Sequence, residues 1–346
     1  MQRFMLYNTN IDKISKEGQK NGPTILDNIA QLPTAPKIEA FTGQKSNLKT
    51  YEKRAKGKYY TQNINGPLCY LDTPLHKMYE GAYHCNNTLF QKGDKITAKY
   101  CNSRTCINCN RIRTAKLIKG YYQPLQDLAI NENDKKLEFV TLTIPNCKPE
   151  ELIEIVYSMK KNLTNVIRVI REKRKIDVSG ITKIECTYND VENTFHPHFH
   201  IIVNKNSGQL IIDEWLKRYP KAAHWCQKTQ KADTNSLMEL FKYTTKFLIK
   251  DNSTKRQKIY THAIDLIMQS FYKKRTIQPF GKLRKLKEEV SEEVDELISE
   301  HIEEFEDKDD EFICNWNWCP ERNNWYSSNV ALTKFKPPNI EFEIYY

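Results

Sequence analysis

A histidine-rich segment at residues 195–203 reads Phe-His-Pro-His-Phe-His-Ile-Ile-Val. Successive side chains of a β-strand point to opposite faces, so a strand here places His198 and His200 on one face and an apolar stripe on the other. Neutral imidazole binds divalent metal ions, and two rings on one strand form much of a site. A single histidine there would favour core hydrogen bonding, but three on one face, His196 included, favour metal binding. The segment predicts a buried strand that offers two imidazoles to a metal ion.

A partner strand is predicted just before this segment, over residues 181–188, which are rich in β-branched side chains. Residues 189–193 supply the turn chemistry for a hairpin into the histidine strand. In that hairpin Glu185 lies close to His198 and His200. Two histidines and a carboxylate suit Mg²⁺ or Mn²⁺ acting on phosphate, although these ligands alone also permit Zn²⁺ or Fe²⁺. A solvated strand glutamate is the simpler alternative for Glu185.

Three motifs in order carry a resemblance to a known family. The histidine segment is preceded by Phe-Val-Thr-Leu-Thr at 139–143 and followed by Lys-Tyr-Thr-Thr-Lys at 242–246. Together they resemble the HUH endonucleases, and among these the chain is most similar to the replication initiators of small rolling-circle plasmids. The resemblance extends over residues 80–285. It implies an α+β fold with a central antiparallel sheet of the HUH endonuclease type and flanking helices, preceded by a Cys-rich zinc-binding segment.

The charge of the chain is unevenly distributed. The 346 residues have a net charge of +11, and residues 288–311 contribute fourteen acids and one lysine, which leaves +24 for the rest. A body this basic is expected to bind polyanions. The mean hydropathy is −0.71, and no apolar run approaches the roughly 18 residues of a membrane span. No signal-peptide core follows the first residues, so we predict a cytoplasmic protein without a membrane partner.

Four of the ten cysteines follow the spacing C-x15-C-x4-C-x2-C. They are Cys85, Cys101, Cys106 and Cys109. Four thiolates in this arrangement can close a tetrahedral structural Zn²⁺ site, and the C-x2-C turn is a common half of such sites. His84 is an alternative ligand to Cys85. Disulfides are not expected without a secretory signal, so the pattern predicts a zinc-binding segment.

Basic residues near Cys109 and near Tyr243 are predicted to contact DNA. In the plasmid initiators a basic run follows the last cysteine, and a similar run is present here. The predicted DNA-binding residues are Arg111, Arg113, Lys116, Lys242 and Lys246. Two features depart from the family pattern: Ile-Asn replaces the proline-containing pair inside the C-x2-C, and the aromatic residue before the paired basic residues is missing.

A helix is predicted over residues 236–250, with an apolar stripe on one side. Its polar face, at 100° per residue, groups Glu239, Tyr243, Lys246 and Lys250. A tyrosine beside lysines and near a metal can attack a phosphodiester, because both lower the cost of losing the phenolic proton. From the residues alone, a half-buried Tyr243 packed on the sheet is an equal alternative. The resemblance of the Lys-Tyr-Thr-Thr-Lys motif favours catalysis.

Glu239 lies one helical turn before Tyr243, so the two side chains are predicted to be neighbours. Ser236 and Glu239 also have the spacing of a capping box, which would explain the glutamate by helix initiation alone. Some plasmid initiators have a carboxylate four residues before the tyrosine. The resemblance implies that Glu239 activates water for a terminating hydrolysis, in place of a second tyrosine.

The resemblance implies a nicking and joining reaction on DNA. A cation held by Glu185, His198 and His200 polarises the scissile phosphate, and Tyr243 attacks it. The products are a 5′-phosphotyrosyl link and a free 3′-OH that primes rolling-circle replication. The implied partners are single-stranded or cruciform origin DNA and a host helicase and polymerase, in the cytoplasm of a bacterium that carries a plasmid or another mobile element.

Two other classes of protein share some of these features. A single-tyrosine HUH transposase or a mobilisation relaxase also has the histidine strand, and the DNA ends that are cut and joined would separate it from an initiator. A non-enzymatic zinc-dependent DNA-binding protein would have the cysteines and the basic charge, but it would show no metal-dependent cleavage.

The predicted organisation has four parts. Residues 1–65 form a polar arm without a stable fold, apart from a short basic helix near residues 48–58. Residues 66–130 form the Cys-rich zinc-binding segment, and residues 131–285 form the HUH endonuclease domain. Residues 286–346 form an acidic helix and a C-terminal tail.

Overall fold

The computed structural model describes residues 48–92, 95–130, 137–241, 247–250, 256–285 and 314–346. The described α-helices are α1 (Leu48–Leu68), α2 (His76–His84), α3 (Ile107–Ile130), α4 (Leu152–Lys173), α5 (Gly208–Arg218), α6 (Thr234–Phe241) and α7 (Thr261–Phe271). The first nine described strands are β1 (Thr88–Lys92), β2 (Lys95–Ala98), β3 (Leu137–Thr143), β4 (Gly180–Asn189), β5 (Thr194–Asn204), β6 (Lys228–Lys231), β7 (Ile249–Lys250), β8 (Arg256–Tyr260) and β9 (Ile277–Phe280). The remaining four are β10 (Cys314–Cys319), β11 (Asn324–Ser327), β12 (Val330–Ala331) and β13 (Glu341–Tyr345).

The central sheet contains five antiparallel strands in the order β6-β3-β5-β4-β9. The predicted histidine strand is β5, the middle strand, and the predicted hairpin partner is β4. Their ladder places Glu185 opposite His198 and Lys183 opposite His200. The predicted α+β class and the antiparallel sheet are therefore confirmed.

Helices cover both faces of this sheet. Ile201 and Val203 of β5 pack into one core with α4, α5 and α7, whose apolar side chains include Val156 and Trp215. Ile202 points the opposite way, into a second core with α3 and α6. The histidines alternate with Ile201 and Val203, so they share the α3 and α6 face of the sheet.

Helix α1 differs from the predicted arm without a stable fold at residues 1–65. A helix was expected only near residues 48–58, whereas α1 continues to Leu68 and packs its last turns against the main core. Its buried side also carries polar groups, including Arg54, Lys58 and Asn65, which are hydrogen-bonded to neighbouring segments. Because this buried side is partly polar, α1 lacks the hydrophobic period that indicates a packed helix. Residues 1–47 lie outside the described part.

The end of the chain also differs from the predicted tail at 286–346. Strands β10, β11 and β12 extend a five-stranded sheet with β1 and β2, in the order β12-β11-β10-β1-β2. Trp318 and Trp325 pack there with Leu89 and with Ala55 of α1. Pairing between segments more than 200 residues apart cannot be read from local pattern, which explains the error. The predicted acidic helix over residues 286–313 lies outside the described residues.

The last described strand, β13, belongs to a third sheet, in the order β13-β8-β7. It pairs in parallel with β8, which leads directly into α7. Within the described ranges, no helix is both long and apolar enough to cross a bilayer.

We expect Gly180→Ala to destabilise the fold, because Gly180 begins β4 where the backbone of β5 approaches closely. An added Cβ would collide with the carbonyl oxygen of Ile202 and lie 2.9 Å from Cα of Val203. Overpacking of this kind costs about 1–3 kcal/mol of unfolding free energy.

Gly66→Ala in α1 is the matched control. Its Cβ would meet the Tyr83 ring at an ordinary 3.5 Å, and alanine favours a helix by about 0.5–1 kcal/mol. Urea unfolding of both variants measures the two effects. Equal stability of Gly180→Ala and wild type would contradict the close approach of the β5 backbone to Gly180.

Candidate active site

The side chains of Glu185, His198 and His200 form one group on the central sheet. One potential ligand atom from each lies within 4.8 Å of the others. Glu185 Oε2 is 3.4 Å from His198 Nε2 and 3.7 Å from His200 Nε2. Because the three come from neighbouring positions of a rigid hairpin, the fold assembles the group without help from a loop. Two imidazoles and a carboxylate can hold a divalent cation.

The hydrogen bonds of the two imidazoles orient their Nε2 atoms toward this group. His198 Nδ1 lies 3.1 Å from the carbonyl oxygen of His196, which can only accept a proton. A neutral His198 with its proton on Nδ1 therefore has a lone pair on Nε2 for a cation, whereas a protonated ring donates from Nε2 to Glu185. His200 Nδ1 lies 3.4 Å from Thr141 Oγ1, and its ring stacks on Phe139 with centroids 5.3 Å apart. Such outer contacts are typical of histidines that bind metal.

The electrostatics of the group favour the ligand forms of its members. Burial raises the pKa of Glu185, but the hydrogen bond from His198 and the charge of Lys183 outweigh it and lower the pKa to about 2. Burial also lowers the pKa of His200 to about 4. Near neutral pH the carboxyl group is therefore ionised and the His200 ring neutral, which are the states that bind cations.

The third histidine of the segment is not part of the group. His196 shares the same face, but its Nδ1 lies 3.0 Å from Asn146 Oδ1. Its ring stacks on His198 with a centroid distance of 5.3 Å.

Helix α6 lies on the same face of the sheet as the histidines. Leu240 and Phe241 pack in the core that contains Ile202 of β5. Glu239 is close enough to His200 for its charge to act on the pKa of that ring. The backbone carbonyl of Glu239 accepts a hydrogen bond of 2.9 Å from Lys183 Nζ.

The helix predicted over 236–250 is shorter at its far end, since residues 249–250 form β7 and pair with β8. The predicted nucleophile Tyr243 lies outside the described residues, as do Lys242 and Lys246. In the sequence, all three follow within five positions of Phe241, the last described residue of α6.

The start of α6 removes the capping alternative for Glu239. Asp233 precedes the helix, and its Oδ1 accepts hydrogen bonds of 2.7 Å from the amide and the hydroxyl of Ser236. Asp233 is therefore the N-terminal cap, with Ser236 inside the first turn. Glu239 lies beyond that turn, where a capping box has no role.

The four cysteines of the predicted zinc segment also lie together. Ligand atoms of Cys85, Cys101, Cys106 and Cys109 are within 4.8 Å of one another. Cys106 immediately precedes α3, Cys109 lies in its first turn, Cys85 follows α2, and Cys101 follows β2. The amide of residue 101 points at Cys85 Sγ over 3.4 Å. Four thiols with N–H donors around them are a donor set that fits Zn²⁺.

A buried lysine supports the cysteine group. Lys58 of α1 is 1% exposed, and its Nζ donates to the carbonyl oxygens of Tyr83 and Cys85, each at 2.7 Å. Burial lowers the pKa of this lysine to about 8. The alternative ligand His84 is outside the group, and its Nδ1 lies 3.1 Å from Asn87 Nδ2.

The predicted DNA-binding residues of α3 contact the protein itself. Arg111 donates to the carbonyl oxygen of Lys53 in α1. Arg113 donates to Asn110 and to Asn102, next to the cysteine group. Lys116 is half-buried on the same helix. The two arginines therefore link α3 to α1 and to the cysteine loop, and their role toward DNA stays a prediction.

Lys183 is the residue near the histidines that the sequence analysis missed. It is fully buried, and its Nζ contacts Glu185 Oε1. One sequence feature could have identified it: Lys183 lies two positions before Glu185, and therefore on the same face of a strand otherwise rich in β-branched residues.

Comparison with known proteins gives the family. The profile of the family described as "Replication protein" matches residues 94–326. A relative named "Protein rep" from Streptococcus pneumoniae serotype 2 is 30% identical over 114 residues, which are 32% of this chain and 34% of the relative. A "Protein rep" from Staphylococcus aureus is 26% identical over 186 residues, or 47% of this chain and 79% of the relative. One from Bacillus sp is 28% identical over 168 residues, or 45% and 51%.

The coverage of these relatives is uneven. The chain spans about a third of the streptococcal relative and about half of the Bacillus one. No solved structure matches the chain. The family profile nevertheless covers more than half of the chain and includes three of the four grouped cysteines (Cys101, Cys106 and Cys109), the histidine strand and α6. The chain therefore belongs to the replication protein family, as the resemblance of its motifs to replication initiators predicted.

Proposed function

We propose that this protein is a plasmid replication initiator that nicks single-stranded origin DNA by metal-assisted transesterification. The main support is the placement of α6, which leads into Tyr243, on the same face of the sheet as Glu185, His198 and His200. A nucleophile and a cation can act on the same phosphate only if both lie on the same side of the protein. Membership of the replication protein family supports DNA as the substrate.

The proposed reaction exchanges one phosphate ester for another. The phenolic oxygen of Tyr243 forms a bond to phosphorus while the P–O3′ bond breaks, so the DNA 5′-phosphate becomes linked to the tyrosine. The phenol loses a proton and the 3′ oxygen gains one, which releases a 3′-OH primer. Phosphate remains a diester throughout, so the link conserves the energy needed to rejoin the strand.

Glu185, His198 and His200 are the proposed ligands of Mg²⁺ or Mn²⁺. A cation there would supply Lewis-acid polarisation of the scissile phosphate. The protein contributes an ionised Glu185 and two imidazoles with fixed Nε2 atoms, so little rearrangement is needed on binding. Lys242 and Lys246 flank the nucleophile in sequence and are proposed to hold the DNA backbone.

Glu239 is the proposed base for the closing step. Its charge acts on the pKa of His200, and it lies outside the helix cap, so its carboxylate is available on the face of the sheet that carries the proposed cation site. There it would take a proton from the water that hydrolyses the phosphotyrosyl link. This role would allow a single tyrosine to start replication and a different residue to end it.

The cysteine group is proposed to hold structural Zn²⁺ and to fix α3 against α1. Arg111, Arg113 and Lys116 follow on α3, and we propose that this basic helix surface lies near the DNA. A host helicase and polymerase would complete replication in the bacterial cytoplasm.

We expect Tyr243→Phe to abolish the covalent adduct, because phenylalanine has no oxygen to bind phosphorus. Purified protein is incubated with single-stranded DNA from its own replicon and Mn²⁺, and denaturation-resistant adducts are counted. Tyr157→Phe, an exposed tyrosine of α4, is the control and should form adduct like wild type. DNA binding should survive in both. An adduct that persists in Tyr243→Phe would reject the nucleophile, and tight binding without any adduct in wild type would favour a binding protein.

We expect Glu239→Ala to nick DNA normally but to release the product slowly. Loss of a positioned general base typically reduces a rate by about 10²–10⁴-fold. The measurement is the lifetime of the phosphotyrosyl adduct after termination DNA is added, with the initial nicking rate recorded in the same reaction. Release at the wild-type rate would remove Glu239 from the mechanism.

We expect Cys106→Ser to lose bound zinc and to unfold at lower temperature, because the alcohol is a poor replacement for a thiolate ligand. Zinc content by mass spectrometry and the melting temperature with and without a chelator are compared with wild type. Cys226→Ser, an exposed cysteine outside the group, is the control. Full zinc content in Cys106→Ser would contradict the proposed ligand set.

A further inference from the structure

Lys183 connects two parts of the proposed active site. It precedes Glu185 by two positions on β4, so both side chains lie on the histidine face. Its side chain is 0% exposed, and its Nζ contacts Glu185 Oε1. The same Nζ donates a hydrogen bond of 2.9 Å to the backbone carbonyl of Glu239 in α6.

The two carboxylate oxygens of Glu185 have different partners. Oε2 faces the imidazoles, 3.4 Å from His198 Nε2 and 3.7 Å from His200 Nε2, whereas Oε1 faces Lys183. A cation between the imidazoles would therefore bind Oε2 while the lysine holds Oε1. Outer contacts of this kind commonly keep metal-binding carboxylates in their orientation.

The second contact of Lys183 concerns the end of α6. The carbonyl group of Glu239 lies in the last described turn of α6, whose described residues end at Phe241. Lys183 therefore restrains this turn, four residues before Tyr243 in sequence.

Burial of a lysine is costly unless its charge is compensated, so a lysine at this position requires both contacts. The core on this face of the sheet contains the apolar side chains of Ile181, Ile202 and Leu240. The lysine instead connects β4, which carries the proposed ligand, to α6, which leads to the proposed nucleophile.

We propose that Lys183 is a positioning residue that couples Glu185 of the proposed cation site to the backbone of α6 at Glu239, four residues before Tyr243 in sequence. This inference rests on the proposed function. Lys183 takes no part in the chemistry itself. It holds one carboxylate oxygen of Glu185 away from the cation and the end of α6 close to the sheet, so that nucleophile and cation meet at one phosphate.

The effect of Lys183 on cation affinity alone would not test this role. Removing its charge reduces repulsion of a cation, whereas losing its ion pair frees the carboxylate of Glu185, and these effects oppose each other. The discriminating quantity is the rate of adduct formation when Mn²⁺ and DNA are both saturating. A second quantity is the rate of trypsin cleavage after Lys242 in the metal-free protein, which reports how firmly the end of α6 is held.

The experiment compares full-length Lys183→Met with wild type and with Lys231→Met, an exposed lysine of β6. We expect Lys183→Met to lower the saturated rate by about 10- to 100-fold, the usual cost of removing an outer partner of a metal ligand. DNA affinity should not change. Cleavage after Lys242 should accelerate relative to cleavage elsewhere in the chain. Lys231→Met should match wild type in each measurement.

Three results would overturn the inference or separate it from the proposed function. A wild-type rate and a wild-type cleavage pattern in Lys183→Met would overturn it. Equal acceleration of cleavage throughout the chain would also overturn it, since that indicates general loss of stability. If wild type forms no adduct, the proposed function fails, while the trypsin measurement still decides whether Lys183 holds α6. If Lys183→Met does not fold, Lys183→Gln, which retains a donor, takes the same measurements.

Discussion

The register of the ladder between β4 and β5 is the constraint on which the candidate site depends. It places Glu185 opposite His198 and Lys183 opposite His200. A slip of one residue would turn each of these side chains to the other face of the sheet. The apolar side chains of β5 prevent such a slip, because Ile201 and Val203 must remain in the core beneath α4, α5 and α7. The packing of one face thus fixes the chemistry of the other.

Two buried lysines have the same structural role. Lys58 donates to carbonyl groups beside the cysteine group, and Lys183 donates to the carbonyl of Glu239 beside the histidine group. Each lysine connects a cluster of potential metal ligands to a neighbouring helix. A buried ammonium is stable only where acceptors surround it, so each position restrains the backbone that provides those acceptors. Rigidity near both clusters follows from this restraint.

Strands β1 and β2 form one sheet with β10, β11 and β12 from the far end of the chain, and this sheet lies beside the cysteine group. Trp318 and Trp325 cover Leu89, and their indole N–H groups donate to Gln62 and to the carbonyl of Asn86. The segment that carries Cys85 is therefore held by strands from the far end of the sequence. Tyr100 packs against both this core and the cysteine group, so substitutions at residues 314–331 are expected to affect the cysteine group.

The sequence determined the parts of the fold that rest on local pattern. Alternation fixed the histidine strand and its hairpin with Glu185, and the cysteine spacing identified a group that the fold brings together. Local pattern predicted only the first half of α1, because its buried side is partly polar, and could not predict the pairing of β10 with β1, because the partners are distant in the chain. It also left Glu239 between a cap and a catalytic role. Only the tertiary structure placed Asp233 at the cap and buried Lys183 between β4 and α6, since burial and hydrogen-bond partners are properties of the packed chain.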